Sequence, residues 1–163
     1  MNYILAYLNT YVTRDILKIM NPTFNTNIAE VFNLSIKIQN KERVTELATQ
    51  NISISKQDWD AHETSWDFQR NELLAIGGAV SHCTNNKSLN ERLCGETPQL
   101  LLKDLVEAYK QKWERKFMQL HENEEELNRQ FISIYGLEDE LTPDVPLDEI
   151  TILQQGEISI AEQ

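Results

Sequence analysis

Between Thr97 and Gly136, apolar side chains recur at intervals of three and four: Leu102, Val106, Tyr109, Trp113, Phe117, Leu120, Leu127, Phe131 and Ile134. That spacing puts side chains on one face of an α-helix and fits no pleated strand. Thr97 reads as the N-cap, Pro98 sits in the first helical turn, and Gly136 is the natural C-cap. A helix of about forty residues would run roughly 60 Å, longer than one core can cover. The seam also lapses between Leu120 and Leu127, where Asn123, Glu124, Glu125 and Glu126 intervene. Two helices, or one kinked helix, satisfy this pattern. Either gives an αα-hairpin arm or a coiled-coil-like spacer.

The rest of the chain is shorter in its rhythms. Residues 2–20 carry Ile4, Leu5, Leu8, Tyr11, Val12, Ile16, Leu17, Ile19 and Met20 at helical spacing, which predicts one amphipathic helix. Pro22 ends it, because its ring disfavours the helical conformation at Asn21. After a polar turn from Thr23 to Asn27 comes one helical turn, then Leu34, Ile36 and Ile38 in the alternation of a strand. A short helix is expected from Lys41 to Thr49, with Val44 and Leu47 inward, followed by a second alternation at Ile52 and Ile54. Ser55 and Asp58 have the spacing of an acidic capping box. Gly77, Gly78, Asn85, Asn86 and Gly95 mark residues 75–96 as a loop or linker. Leu141 to Pro146 reads as an extended, proline-fixed connector, and Ile150, Ile152 and Leu153 have strand character. The expected class is therefore mainly α with a minor β component: a helix plus short strands, followed by a long helical hairpin or spacer arm.

Charge divides the chain more sharply than hydropathy does. Its 163 residues carry a net charge of −11, with 40% hydrophobic and 25% charged residues, a globular balance. Residues 1–57 hold six Lys and Arg against four Asp and Glu, whereas residues 58–163 hold nine against twenty-two. A surface as acidic as the second part repels a phosphate backbone. Any nucleic-acid contact is therefore expected in the first part, where Arg14, Lys18, Lys37, Lys41 and Arg43 are the candidates. Trp59, Trp66 and Phe68 lie among Asp58, Asp60, Glu63 and Asp67, and with Trp113 they read as core or interface anchors. No apolar run approaches the roughly 18 residues of a membrane span. The opening stretch has no basic leader region and reads as a buried helix, so a cytoplasmic location with Cys83 and Cys94 reduced is expected.

Chemistry-bearing patterns are sparse. The sequence has no glycine-rich phosphate loop, no nucleophile triad with supporting motifs, and no His pair at metal-binding helical spacing. His82, Cys83 and Cys94 supply three candidate ligands where structural zinc takes four. His121 and the run Glu124 to Glu126 read as a solvated helix face, since consecutive carboxylates fan around a helix instead of converging. No catalytic, cofactor-binding or metal-binding residue is expected.

Three groups of strings nevertheless resemble the C-terminal part of the large adenine-specific DNA methyltransferases of BREX phage-defence systems (the PglX type) and related restriction-modification methylases. The first is LAYLNT at 5–10 with ILKIMNPT at 16–23 and IAEVFNLSI at 28–36; the second is NISISKQDWD at 51–60 with ETSWDF at 63–68. The third is NEEELNRQF at 123–131 with IYGLEDELTP at 134–143. The resemblance implies a full-length enzyme that moves a methyl group from S-adenosylmethionine to the N6 of a flipped adenine in double-stranded DNA. It also implies other defence-system subunits as partners. This chain has no glycine-containing cofactor loop and no Asn-Pro-Pro-Tyr type motif, for its Asn21-Pro22 is followed by Thr23. Its share is expected to be recognition or structural support without catalysis, and its ends read as those of a truncation. On that picture residues 1–57 are the edge of the target-recognition region and 58–96 an aromatic, acidic connector and loop. Residues 97–136 are the long helical arm, and 137–163 an extended connector and tail. The competing expectation is a non-enzymatic acidic helical interaction protein, a partner-binding module or DNA mimic.

Overall fold

In a computed structural model, residues 1–23, 27–73, 98–150 and 152 are described. The expected helix over 2–20 is two helices, α1 (Asn2–Leu8) and α2 (Tyr11–Met20). Side chains break it by taking backbone acceptors. Asn9 Nδ2 donates to the Leu5 carbonyl at 2.9 Å, while the Thr10 and Thr13 hydroxyls both donate to the Tyr7 carbonyl, at 2.7 and 2.6 Å. α2 ends at Asn21, whose extended backbone is the one proline imposes on its predecessor. A single helical turn, α3 (Ile28–Phe32), opens with the Glu30 carboxylate accepting the Asn27 amide at 3.0 Å.

No strand or sheet occurs among the described residues, so the β component expected at 34–38 and 51–55 is corrected. Residues 34–39 have no regular secondary structure, and side-chain hydroxyls take the place of a neighbouring strand. Tyr3 Oη donates to the Lys37 and Gln39 carbonyls (2.9 and 3.1 Å) and accepts the Gln39 amide (3.2 Å). Tyr7 and Tyr135 both donate to the Ser35 carbonyl, and Tyr135 Oη accepts the Lys37 amide at 3.2 Å. Three phenols thereby satisfy the main chain that a ladder would otherwise have to. Asn40 then turns the chain at φ 49°, a left-handed conformation that asparagine tolerates.

The next helix, α4 (Lys41–Asp60), runs through the stretch expected as a strand. Val44, Leu47, Ala48 and Ile54 are its buried residues, a helical stripe continued through Asn51. Ser55 and Asp58 therefore lie inside a helix and start none. The long helix, α5 (Pro98–Tyr135), is unbroken over 38 residues, neither hairpin nor pair. Its polar lapse is bridged at Asn123, which is buried. The Asn123 amide donates to Gln50 Oε1 (3.2 Å) and Asn51 Oδ1 (2.8 Å), and its oxygen accepts from Gln119 (3.0 Å). The gap in the seam of α5 thus meets the polar rung of α4. α5 stops as expected: Gly136, at φ +72°, donates to the Ser133 carbonyl, and Leu137 donates to that of Ile132. These are the paired bonds of a Schellman cap. Beyond it residues 141–146 have no regular secondary structure, and a 3-10 turn follows at Leu147–Glu149.

The chain divides into two compact units, one of Met1–Ile54 with Gln119–Gln163, the other of Ser55–Met118. In the first, Tyr3, Tyr7, Val12, Leu34, Val44, Leu47, Leu127 and Phe131 form one core. Phe131 lies 5.4 Å from the rings of Tyr3 and Tyr7, and Tyr7 stacks on Tyr135 at 5.7 Å. The second is organised around Trp113, only 2% exposed, whose indole N–H donates to Glu72 at 2.9 Å. Lys116 stands 4.2 Å above the ring and donates to Gln57 at 2.8 Å, and burial lowers the affinity of its ammonium for the proton.

Candidate nucleic-acid interface

The five basic candidates stand on three elements. Arg14 and Lys18 lie on α2 and share Asp15, at 3.6 and 3.5 Å. The Arg14 guanidinium also lies 3.9 Å over the Tyr11 ring and 3.5 Å from Glu149. Tyr11 donates to the same Glu149 at 2.9 Å, and burial together with that carboxylate pushes the phenol up to about 12. Lys37 is on the extended segment, with its ammonium 5.0 Å from the centre of the Tyr135 ring. Lys41 and Arg43 begin α4, where Arg43 pairs with Glu46 at 3.2 Å. Arg14, Lys18 and Arg43 are therefore each answered by a carboxylate of the chain itself. Exposed pairs of this kind are worth little to stability, but each paired carboxylate opposes the field its cation offers a phosphate.

A shallow groove runs along α4, lined by Lys41, Glu42, Thr45, Glu46, Thr49, Gln50 and Ser53. All seven belong to one helix. Such a surface leaves most of a nucleoside-sized ligand in water, whereas cofactor sites enclose it. The groove residues therefore do not fit S-adenosylmethionine. Among the described residues no group of three or more His, Cys, Asp or Glu is placed to hold a metal ion. No helix among them is long and apolar enough to cross a membrane.

The four aromatic anchors separate. Trp113 is core, and Phe68 is half-buried. Trp66 is 100% exposed and Trp59 largely so, so of the two roles read for them, core or interface anchor, neither is in the core. Near Trp66, Lys56 pairs with Asp60 and Asp67, both at 3.0 Å, and the buried Ser65 hydroxyl donates to Asp60 and accepts the Asp67 amide. His82, Cys83 and Cys94, with the loop expected at 75–96, lie outside the described residues.

His121 and the three glutamates are not a solvated face. His121 Nε2 donates to the Val145 carbonyl at 2.7 Å and lies 3.3 Å from Glu125, whose carboxylate accepts the Val145 amide at 3.3 Å. Glu124 is half-buried, and desolvation raises its carboxyl above the usual range. Sequence reasoning passed over Asn128 as well. It is buried, its oxygen accepts the Tyr11 amide at the start of α2 (3.0 Å), and its nitrogen reaches the Pro143 carbonyl (3.5 Å). One side chain caps α2 and holds the connector. The available signal was an asparagine inside a helix, between the apolar positions Leu127 and Phe131.

Comparison with known proteins finds two relatives. The adenine-specific methyltransferase PglX of Lacticaseibacillus casei (strain Zhang) is 34% identical over 154 residues, 92% of this chain. The chain is PglX- and BrxX-like. The adenine-specific methyltransferase BrxX of Escherichia coli O9:H4 (strain HS) is likewise 34% identical, over 95 residues and 55% of the chain. The matched segments make up 11% and 8% of those relatives, so the chain spans about a tenth of their length. No family model and no solved structure matches it.

Proposed function

We propose that the chain is a non-catalytic part, towards the C-terminus, of a site-specific adenine-N6 DNA methyltransferase of a phage-defence system. Its role is to support the target-recognition region and to add a weak contact to the DNA backbone. The observation that carries this reading is the PglX likeness over 92% of the chain. The sequence has no glycine-containing cofactor loop and no Asn-Pro-Pro motif, which supports leaving the chemistry, with its S-adenosylmethionine, to the rest of such an enzyme. The paired state of Arg14, Lys18 and Arg43 is why the DNA contact is weak.

Binding to duplex DNA, followed by fluorescence anisotropy across a salt series, tests the recognition role. The expected result is weak binding that falls about tenfold at low salt in Lys18→Gln/Lys37→Gln/Arg43→Gln, with a salt slope shallower by roughly two to three. Binding unchanged in that variant refutes the contact. Calorimetry is expected to show no S-adenosylmethionine binding, and methyl transfer by the purified chain would defeat the proposal outright. The twenty-two acidic residues among 58–163 favour a second reading, an acidic module that occupies a DNA-binding partner. Recovery of such a partner by a chain that itself binds no DNA would select it.

A further inference from the structure

α1 is apolar on both sides. Tyr3, Ala6 and Tyr7 are buried, yet Met1, Ile4, Leu5 and Leu8 are exposed. Spaced at three and four, these four side chains form one continuous stripe on the helix surface. Soluble helices that are apolar all round are normally covered all round. α3 repeats the arrangement on a smaller scale. Ile28 is 76% and Phe32 84% exposed, Val31 stands between them at helical spacing, and no residue of the helix is buried. Both helices belong to the same compact unit. Two ordered stripes are not the scattered single apolar residues that any protein surface carries.

The chemistry of the faces narrows what covers them. Neither α1 nor α3 contains a Lys or Arg, so neither offers anything to a phosphate backbone or an anionic headgroup. The faces suit an apolar protein surface. The PglX and BrxX relatives carry about nine-tenths of their length outside the matched segment. We infer that the exposed stripes of α1 and α3 dock onto the remaining part of a PglX-type methyltransferase. This rests on reading the chain as part of such an enzyme. It adds the surface by which the part is held.

The test co-expresses the tagged chain with Lacticaseibacillus casei PglX from which the matching segment has been removed. The wild-type chain is expected to co-purify with that protein in a one-to-one complex. Ile4→Ser/Leu8→Ser/Phe32→Ser is expected to lower recovery roughly tenfold, in the manner of an interface hot spot. The melting midpoint of that variant alone should stay within about 2 °C of wild type, since exposed side chains are replaced. Equal recovery of variant and wild type, or no complex with the wild type, overturns the inference. So does a large drop in the variant's own midpoint, which gives the stripes an occupant within the chain. A wild-type dimer by light scattering that the variant converts to monomer gives them to a second copy and overturns it likewise. DNA binding of the same variant is expected to be unchanged, so a failed docking test leaves the recognition role standing, and the reverse holds as well.

Discussion

The unit of Met1–Ile54 with Gln119–Gln163 and the unit of Ser55–Met118 are built on opposite principles. In the first, aromatic rings and buried amides do two jobs at once: Tyr3 and Tyr7 pack on Phe131 while their hydroxyls hold residues 35–39, and Asn128 fills space while capping α2. In the second, among the described residues, one indole is enclosed, one is wholly and one largely exposed, and ion pairs of Lys56 and Lys112 join the segments. The difference teaches where conformational specificity comes from. Buried polar atoms with several partners define one arrangement, whereas exposed ion pairs permit many.

The largest effect that would sharpen this contrast comes from emptying each centre. Phe131→Ala should cost about 3–5 kcal/mol in urea unfolding, the usual range for an aromatic core truncation, and should remove protection from hydrogen exchange throughout residues 1–54. Trp113→Ala falls in the same range but should raise exchange mainly within residues 55–118. Uniform loss of protection in both variants would erase the distinction between the units.

Next in size is Asn128→Ala, which strands the Tyr11 amide and frees the connector, at about 1–3 kcal/mol by the same unfolding measurement. A loss no larger than that of an exposed alanine substitution would show that the amide merely fills space. Glu124 works in the other direction. Its carboxyl is raised by desolvation, so the folded state holds that proton more tightly than the unfolded chain does. Its contribution favours folding at acid pH and is lost as pH rises through the folded value. Glu124→Gln should therefore stabilise the protein at pH 7, with the gain vanishing near pH 4. Melting midpoints at the two pH values decide this, and a variant less stable at pH 7 would contradict it. Trp66→Ser should be the smallest, within about 0.5 kcal/mol of wild type, as expected of a side chain wholly in solvent.

Much of the fold was legible because helices write their period into the sequence. The α5 boundaries followed from Thr97-Pro98 and Gly136, and the end of α2 followed from Pro22. The strands expected at 34–38 and 51–55 were misread for two separate reasons, while the one expected at 150–153 lies partly outside the described residues. At Leu34, Ile36 and Ile38 the alternation fits a strand, but alternation says nothing about which groups satisfy the main chain, and here they include phenols 28 to 100 residues away. Ile52 and Ile54, two apart, match the strand period, but only Ile54 is buried, and the decisive stripe began ten residues before it at Val44. The break at Asn9 and Thr10 left no mark on the apolar pattern because side-chain oxygens and nitrogens made it. The basic candidates were legible as residues, but their neutralisation was not: Glu149 lies 135 positions from Arg14 along the chain.

The tyrosine clamp on residues 35–39 has one more consequence. Its hydroxyls engage carbonyls and amides of the main chain, so the identities of Ser35, Lys37 and Gln39 are not what is held. Those positions can drift in sequence without loosening the segment, while replacing Tyr3 by phenylalanine removes three contacts at once. The segment is thus fastened through its backbone, and its side chains at 35, 37 and 39 are left out of those bonds.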